Sequence, residues 1–182
     1  MTKCSVYVAT SLDGFISRRD GSIDWLNHFN ALVTKGEDLG YAQFMSSVDA
    51  LVMGRNTFEQ VLTFGTWHYG DTPIVVLSRQ LKSLPEDVSD TVSLSADEPG
   101  KLVERLSARK WKHLYVDGGL TVQSFLSAGL IDDIIITTIP ILLGEGKPLF
   151  GPLPNDVELE HVSSQAFEFG FVQSKYRVVK SA

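Results

Sequence analysis

The sequence predicts an α/β protein: a three-layer α/β/α sandwich built on a mixed, mainly parallel sheet, with an antiparallel hairpin at its C-terminal end. Three observations predict it. Short apolar runs alternate with helix-length amphipathic stretches from Lys3 to Gly129, the pattern of parallel strands joined by crossover helices. Two β-rich runs flank Gly170, as hairpin arms flank a turn. With 182 residues, 43% hydrophobic and 21% charged, the composition is that of a globular protein with one sizeable core. Residues 1–182 are therefore expected to form a single domain.

Lys3 to Thr10 alternates and is rich in β-branched residues, which predicts the first strand. A polar loop follows from Ser11 to Leu26. A short helix is expected over about Glu37 to Ser47, where Leu39, Tyr41, Phe44 and Met45 share an apolar side. Ala50 to Met53 reads as a buried strand, Arg55 to Leu62 as a helix, and Ile74 to Leu77 and Thr91 to Leu94 as further strands. Ser95-Ala96-Asp97-Glu98 fits a capping box, with Ser95 capping a helix that tolerates Pro99 in its first turn and runs to about Lys110. Leu114 to Val116 is again a strand, and Gly119 to Ala128 a helix ended by Gly129. Ile131 to Ile139, almost free of polar groups at Ile134-Ile135-Ile136, predicts a central strand buried on both faces. Val157 to Phe167 and Phe171 to Val179 supply the hairpin.

Charge and cysteine content narrow the function. A formal charge of −6 gives no electrostatic case for nucleic acid. The amino terminus lacks the apolar stretch of a signal peptide or membrane span, which predicts a cytoplasmic protein with no membrane partner. Cys4 is the only cysteine, and His28, His68, His113 and His161 stand far apart, so no metal site is expected.

Two segments carry the chemistry: Val52-Met53-Gly54-Arg55-Asn56-Thr57 and Val116-Asp117-Gly118-Gly119-Leu120-Thr121. Each reads as a strand, a tight glycine turn and a helix start. A helix start offers unpaired N–H groups and a positive dipole end, and glycine lets an anion approach them closely. Two such starts suggest a ligand with several phosphates, and Arg55 and Thr57 add a guanidinium and a hydroxyl for the same groups.

With Ala9-Thr10-Ser11-Leu12-Asp13-Gly14-Phe15-Ile16, Val76-Leu77-Ser78-Arg79 and Ile136-Thr137 leading into Ile141-Leu142-Leu143-Gly144-Glu145-Gly146, these segments stand in a familiar order. The chain resembles the dihydrofolate-reductase-like superfamily, in the branch typified by the C-terminal reductase domain of bacterial riboflavin-biosynthesis deaminase/reductases, here in a stand-alone form without the zinc-bearing deaminase domain. The resemblance implies NADPH along the carboxyl edge of the sheet. Gly54, Arg55, Asn56, Thr57, Gly118, Gly119, Leu120 and Thr121 would hold its phosphates, Ala9 and Ile16 would border the nicotinamide, and Leu77, Ser78 and Arg79 would meet the adenosine 2′-phosphate. It also implies a homodimer and hydride transfer to an electron-poor carbon of a small-molecule substrate.

The acid that polarises the substrate has two candidates. Asp38 precedes Gly54-Arg55 by the interval that separates the dihydrofolate reductase acid from its motif, and Thr137 matches the threonine that supports that acid; the same Asp38 also suits a helix N-terminus. Asp117, immediately before the Gly-Gly turn, matches a substrate-contacting acid of the riboflavin branch, or serves only as a turn former. No Lys or Arg occurs between Arg55 and Arg79, where dihydrofolate reductases clamp the folate glutamate. A planar nitrogen heterocycle such as the riboflavin pyrimidine intermediate is therefore expected ahead of dihydrofolate, and a non-catalytic NADPH-binding protein is the further alternative. Arg18 and Arg19 are candidate cations for a substrate phosphate, and Trp25, Phe64, Trp67 and Tyr69 for an aromatic wall. Phe150, Phe167, Phe169 and Phe171 are candidates for a subunit interface.

Overall fold

A computed structural model describes residues 2–86, 88 and 90–180; residues 1, 181 and 182, the ends of the expected domain, lie outside the described residues. The strands are β1 (Lys3–Ser11), β2 (Phe15–Ser17), β3 (Ala50–Gly54), β4 (Ile74–Leu77), β5 (Val92–Ser95), β6 (His113–Asp117), β7 (Asp133–Ile139), β8 (Lys147–Pro148), β9 (Leu159–Ala166) and β10 (Val172–Val178). The helices are α1 (Asp24–Asn30), α2 (Tyr41–Ser46), α3 (Arg55–Leu62), α4 (Pro99–Ala108) and α5 (Gly119–Ser127). Eight strands form one sheet in the order β5-β4-β3-β6-β1-β7-β10-β9. It is parallel from β5 to β7, and β10 and β9 close it as an antiparallel pair.

Alternation along the strands distributes side chains to two cores. Cys4, Val6, Ala50, Val52, Val75, Leu114 and Val116 face one cluster, beneath Leu102 and Leu106 of α4 and Val122, Phe125 and Leu126 of α5. The intervening residues Leu51, Met53, Ile74, Val76 and Tyr115 face the other, with Phe44 of α2 and Phe58 and Val61 of α3. A third cluster, Trp25 with Ile139 and Phe171, closes the end of β7. Phe167 and Phe169, half-buried, pack into it, whereas Phe150, the fourth aromatic expected at a subunit interface, is exposed.

Three elements differ from expectation. The loop after β1 contains β2, paired antiparallel with β8, and leads into α1; strands of three and two residues are too short to show periodicity. The expected helix over Glu37 to Ser47 begins only at Tyr41, because Leu39 (φ 59°) and Gly40 (φ 83°) adopt left-handed backbone. Finally, no capping box forms before α4. Pro99 occupies the first helical position, which suits its fixed φ, so Glu98 becomes the N-cap residue while Ser95 ends β5. The Ser95 hydroxyl bonds Asp97, and the Glu98 carboxylate is left to reach elsewhere.

Candidate functional site

At the carboxyl ends of β3 and β6, which lie side by side, α3 leaves toward one face of the sheet and α5 toward the other. Such a switch point opens a crevice in an α/β sheet. Here it is a cleft of about 850 Å³. Every residue expected to hold the cofactor lines it: Ala9, Ile16, Gly54, Arg55, Asn56, Thr57, Leu77, Ser78, Arg79, Gly118, Gly119, Leu120 and Thr121. The first turns of α3 and α5 have no side-chain cap, which leaves N–H groups for an anion.

The glycines have a different reason from the one sequence suggests. A Cβ on Gly54 would stand 2.7 Å from the Thr121 hydroxyl, and one on Gly118 would overlap the Thr57 hydroxyl. Gly54-Arg55-Asn56-Thr57 and Gly118-Gly119-Leu120-Thr121 are thus two Gly-x-x-Thr helix starts on neighbouring strands, each threonine seated on the other's glycine. Gly119 is closed in by protein as well, its Cβ position lying 2.8 Å from the Pro148 carbonyl oxygen and 3.0 Å from Ile16 Cδ1. The interlock sets the spacing of the two helix starts.

The two candidate acids lie in unlike places. Asp38 is exposed, and its carboxylate accepts hydrogen bonds from the Ala42 and Gly40 N–H groups, each at 2.9 Å, which hold it below the usual carboxylate range. It caps α2 and is not part of the cleft wall. Thr137 is buried, and its hydroxyl accepts from Gln173 Nε2 at 3.0 Å; the same amide donates to the Leu39 carbonyl. Asp117 lines the cleft at the end of β6. Burial pushes its carboxyl up to about 6, against the pull of the Gly118 N–H that it accepts at 2.8 Å. Tyr69 and Tyr115 share that wall, and burial together with the Asp117 charge raises both of their phenols.

A family model, the RibD C-terminal domain, matches residues 3–172. The chain belongs to that family. It is 35% identical over 169 residues to the uncharacterized protein YwjB of Bacillus subtilis (strain 168), covering 91% of this chain and 92% of that protein. A solved structure from Shewanella sp. PV-4, named by inference for riboflavin biosynthesis, is 37% identical with a TM-score of 0.92 and covers 98% of this chain and 100% of its own. The diaminohydroxyphosphoribosylaminopyrimidine deaminase/5-amino-6-(5-phosphoribosylamino)uracil reductase of Thermotoga maritima shares the fold at 16% identity and a TM-score of 0.72; 57% of that chain is covered.

Other features of this RibD C-terminal domain depart from the sequence reading. Arg18 is held by Asp24 through two hydrogen bonds of 2.6 and 2.9 Å, and Arg19 pairs with Glu145 at 3.0 Å; neither lines the cleft. Phe64 and Tyr69 do line it, whereas Trp25 is core and Trp67 packs edge-on against Tyr69. Asp13 accepts from Ser11 Oγ and from the Leu143 and Gly144 N–H groups, pinning the loop after β1 to the turn after β7. Lys147, a cleft residue that sequence reasoning missed, lies with Gln60 against Gly21 and has no ion pair among the described residues. Only the β2–β8 pairing brings it there, and no local pattern marks it. No described helix is long and apolar enough to cross a membrane, and no described cluster of three or more His, Cys, Asp or Glu fits a metal ion.

Proposed function

We propose that this protein is an NADPH-dependent reductase that delivers hydride to a planar nitrogen heterocycle, with 5-amino-6-(5-phosphoribosylamino)uracil as the nearest described substrate. The observation that carries the reading is one cleft holding two uncapped helix starts, with their arginine, beside a carboxyl raised to about 6. Residues and group fit: the α3 and α5 N-termini with Arg55, Thr57 and Thr121 suit a pyrophosphate, and Ser78 and Arg79 suit a 2′-phosphate. When bound, the reduced nicotinamide supplies the hydride.

The chain's own part is orientation, desolvation and the proton. Ala9, Ile16, Val61 and Phe64 present apolar surface to a flat ring and keep water from it. Asp117 in its acid form would donate a proton to the heteroatom beside the carbon that accepts hydride, and its carboxylate would favour positive charge there; a pKa near neutrality suits both roles. Lys147 is the cleft cation available to a substrate phosphate. With no Lys or Arg between Arg55 and Arg79, a folate glutamate has no anchor of the usual kind, which ranks dihydrofolate below the pyrimidine.

The protein is further proposed to work as a cytoplasmic homodimer. All eight residues of the edge strand β9 are exposed, and its edge, with Leu159, Val162 and Val172 nearby at the surface, suits pairing with a second copy. Titration of nucleotides by fluorescence, followed by NADPH oxidation with amino-pyrimidines and dihydrofolate, tests the function. Saturable NADPH binding with turnover of the pyrimidine is expected; binding without turnover of any heterocycle would favour a cofactor-binding protein, and absence of binding would end the reading. A monomer by light scattering at micromolar concentration would reject the dimer.

A further inference from the structure

The adenosine end of the cleft is built by two neighbouring strand ends. β4 and β5 pair in register at Leu77 and Ser95, and the Ser78 N–H donates to the Ser95 carbonyl at 2.9 Å, so the segments that follow leave the sheet side by side. One brings Ser78 and Arg79 into the cleft wall, the other Asp97 and Glu98. The Ser78 oxygen accepts from the Gln80 and Leu81 N–H groups at 3.2 and 2.9 Å, which fixes the turn and leaves the hydroxyl proton to donate.

Charge at this end is balanced within the protein. Arg79 pairs with Glu98. Arg105 is committed to Asp97, at 2.8 Å, and to the Ser95 hydroxyl, at 3.0 Å. Among the described residues the Glu98 side chain has no other partner: it belongs to the N-cap residue of α4, yet makes no capping bond. A 2′-phosphate arriving at Arg79 therefore meets a guanidinium that already has an anion, and brings a dianion next to a carboxylate. The pair is well exposed, at 69% and 63% of the side chains, and pairs of this kind contribute little, so Arg79 is exchangeable.

We propose that Glu98 sets the nucleotide preference of this cleft by competing with the 2′-phosphate for Arg79. Resting on the reductase reading, this makes the arginine a shared partner: it stays on Glu98 when the nucleotide carries a plain ribose and transfers to the phosphate when one is present. The carboxylate left behind repels the phosphate but accepts a hydrogen bond from a 2′-hydroxyl. NADH is thus tolerated, and NADPH is favoured by less than Ser78 and Arg79 alone would give.

The test is binding, measured by titrating NADPH, NADH and the fragment 2′,5′-ADP into the parent, Glu98→Gln, Arg79→Ala and the double variant. Glu98→Gln is expected to tighten NADPH and 2′,5′-ADP by about five-fold at low salt, the scale of one screened charge contact, with NADH unchanged or weaker. In the Arg79→Ala background the same substitution should tighten NADPH clearly less than in the parent, because the shared partner is gone and only the carboxylate's direct repulsion of the phosphate remains. An unchanged NADPH to NADH ratio in Glu98→Gln, or the full gain persisting without Arg79, overturns the competition while leaving the reductase reading intact. A parent that binds neither nucleotide overturns both.

Discussion

On one side of the cleft, α3 and α5 begin directly where β3 and β6 end, and two threonines lock the helix starts together. On the other, residues 24–46 reach the sheet through two short helices separated by left-handed backbone at Leu39 and Gly40. The first arrangement is local, each motif carrying its own strand, turn and helix start within ten residues or so. The second depends on distant partners: the Leu39 carbonyl accepts from Tyr7 at 2.7 Å and from Gln173 at 3.1 Å. The difference teaches where function can be read along the chain. Uncapped helix starts are written contiguously, whereas an acid acquires its environment from what buries it.

The largest expected effect breaks the interlocked side. Gly118→Ala adds a methyl group that overlaps the Thr57 hydroxyl at a backbone of φ 90°, and should lower unfolding free energy by about 3 kcal/mol or more. Gly36→Ala, also at φ 90° but with nothing within 4 Å, meets only backbone strain of about 1 kcal/mol. Urea denaturation of the pair measures the contrast; equal losses would mean that the interlock contributes nothing.

Next comes the acid. Asp117→Asn retains an oxygen for the Gly118 N–H but cannot supply the proton, and should cut turnover by about 10²-fold with NADPH affinity nearly unchanged. Stability carries an independent signature. The Asp117 carboxyl is raised from 3.8 to about 6, so the folded protein holds this proton more tightly than the unfolded chain. Its contribution is complete below 3.8 and is lost as pH rises through about 6. Asp117→Asn should therefore be more stable than the parent at pH 8, by about 1–3 kcal/mol, with the advantage fading on acidification. Thermal melts across that range check the sign.

Smaller effects sharpen the contrast. Arg55→Ala should weaken NADPH about ten-fold through loss of a charge-assisted contact, with the melting temperature almost unmoved, since its only ion pair among the described residues is to Glu59 at 3.7 Å on the same helix. Asp38→Ala should do the reverse, costing about 1 kcal/mol of stability through the lost cap of α2 while turnover stays at the parent value. A turnover loss in Asp38→Ala that Asp117→Asn does not share would return the catalytic role to Asp38.

The main strands and helices, the terminal hairpin and the two glycine-bearing helix starts that line the cleft were legible from the chain because each rests on short-range rules: period-two burial, glycine turns and helix starts. Ala50-Leu51-Val52-Met53-Gly54 announces a buried strand and its exit without reference to any other segment. Tertiary structure decided the rest. It gave Glu98 to Arg79 instead of to a capping box, because Pro99 takes the first helical position and the end of β4 lies alongside. It turned Asp38 outward onto the Gly40 and Ala42 N–H groups, brought Lys147 to the cleft through a two-residue strand, and enclosed Asp117 among tyrosines from distant segments. Desolvation and pairing are properties of neighbours, and for these residues the neighbours come from elsewhere in the chain.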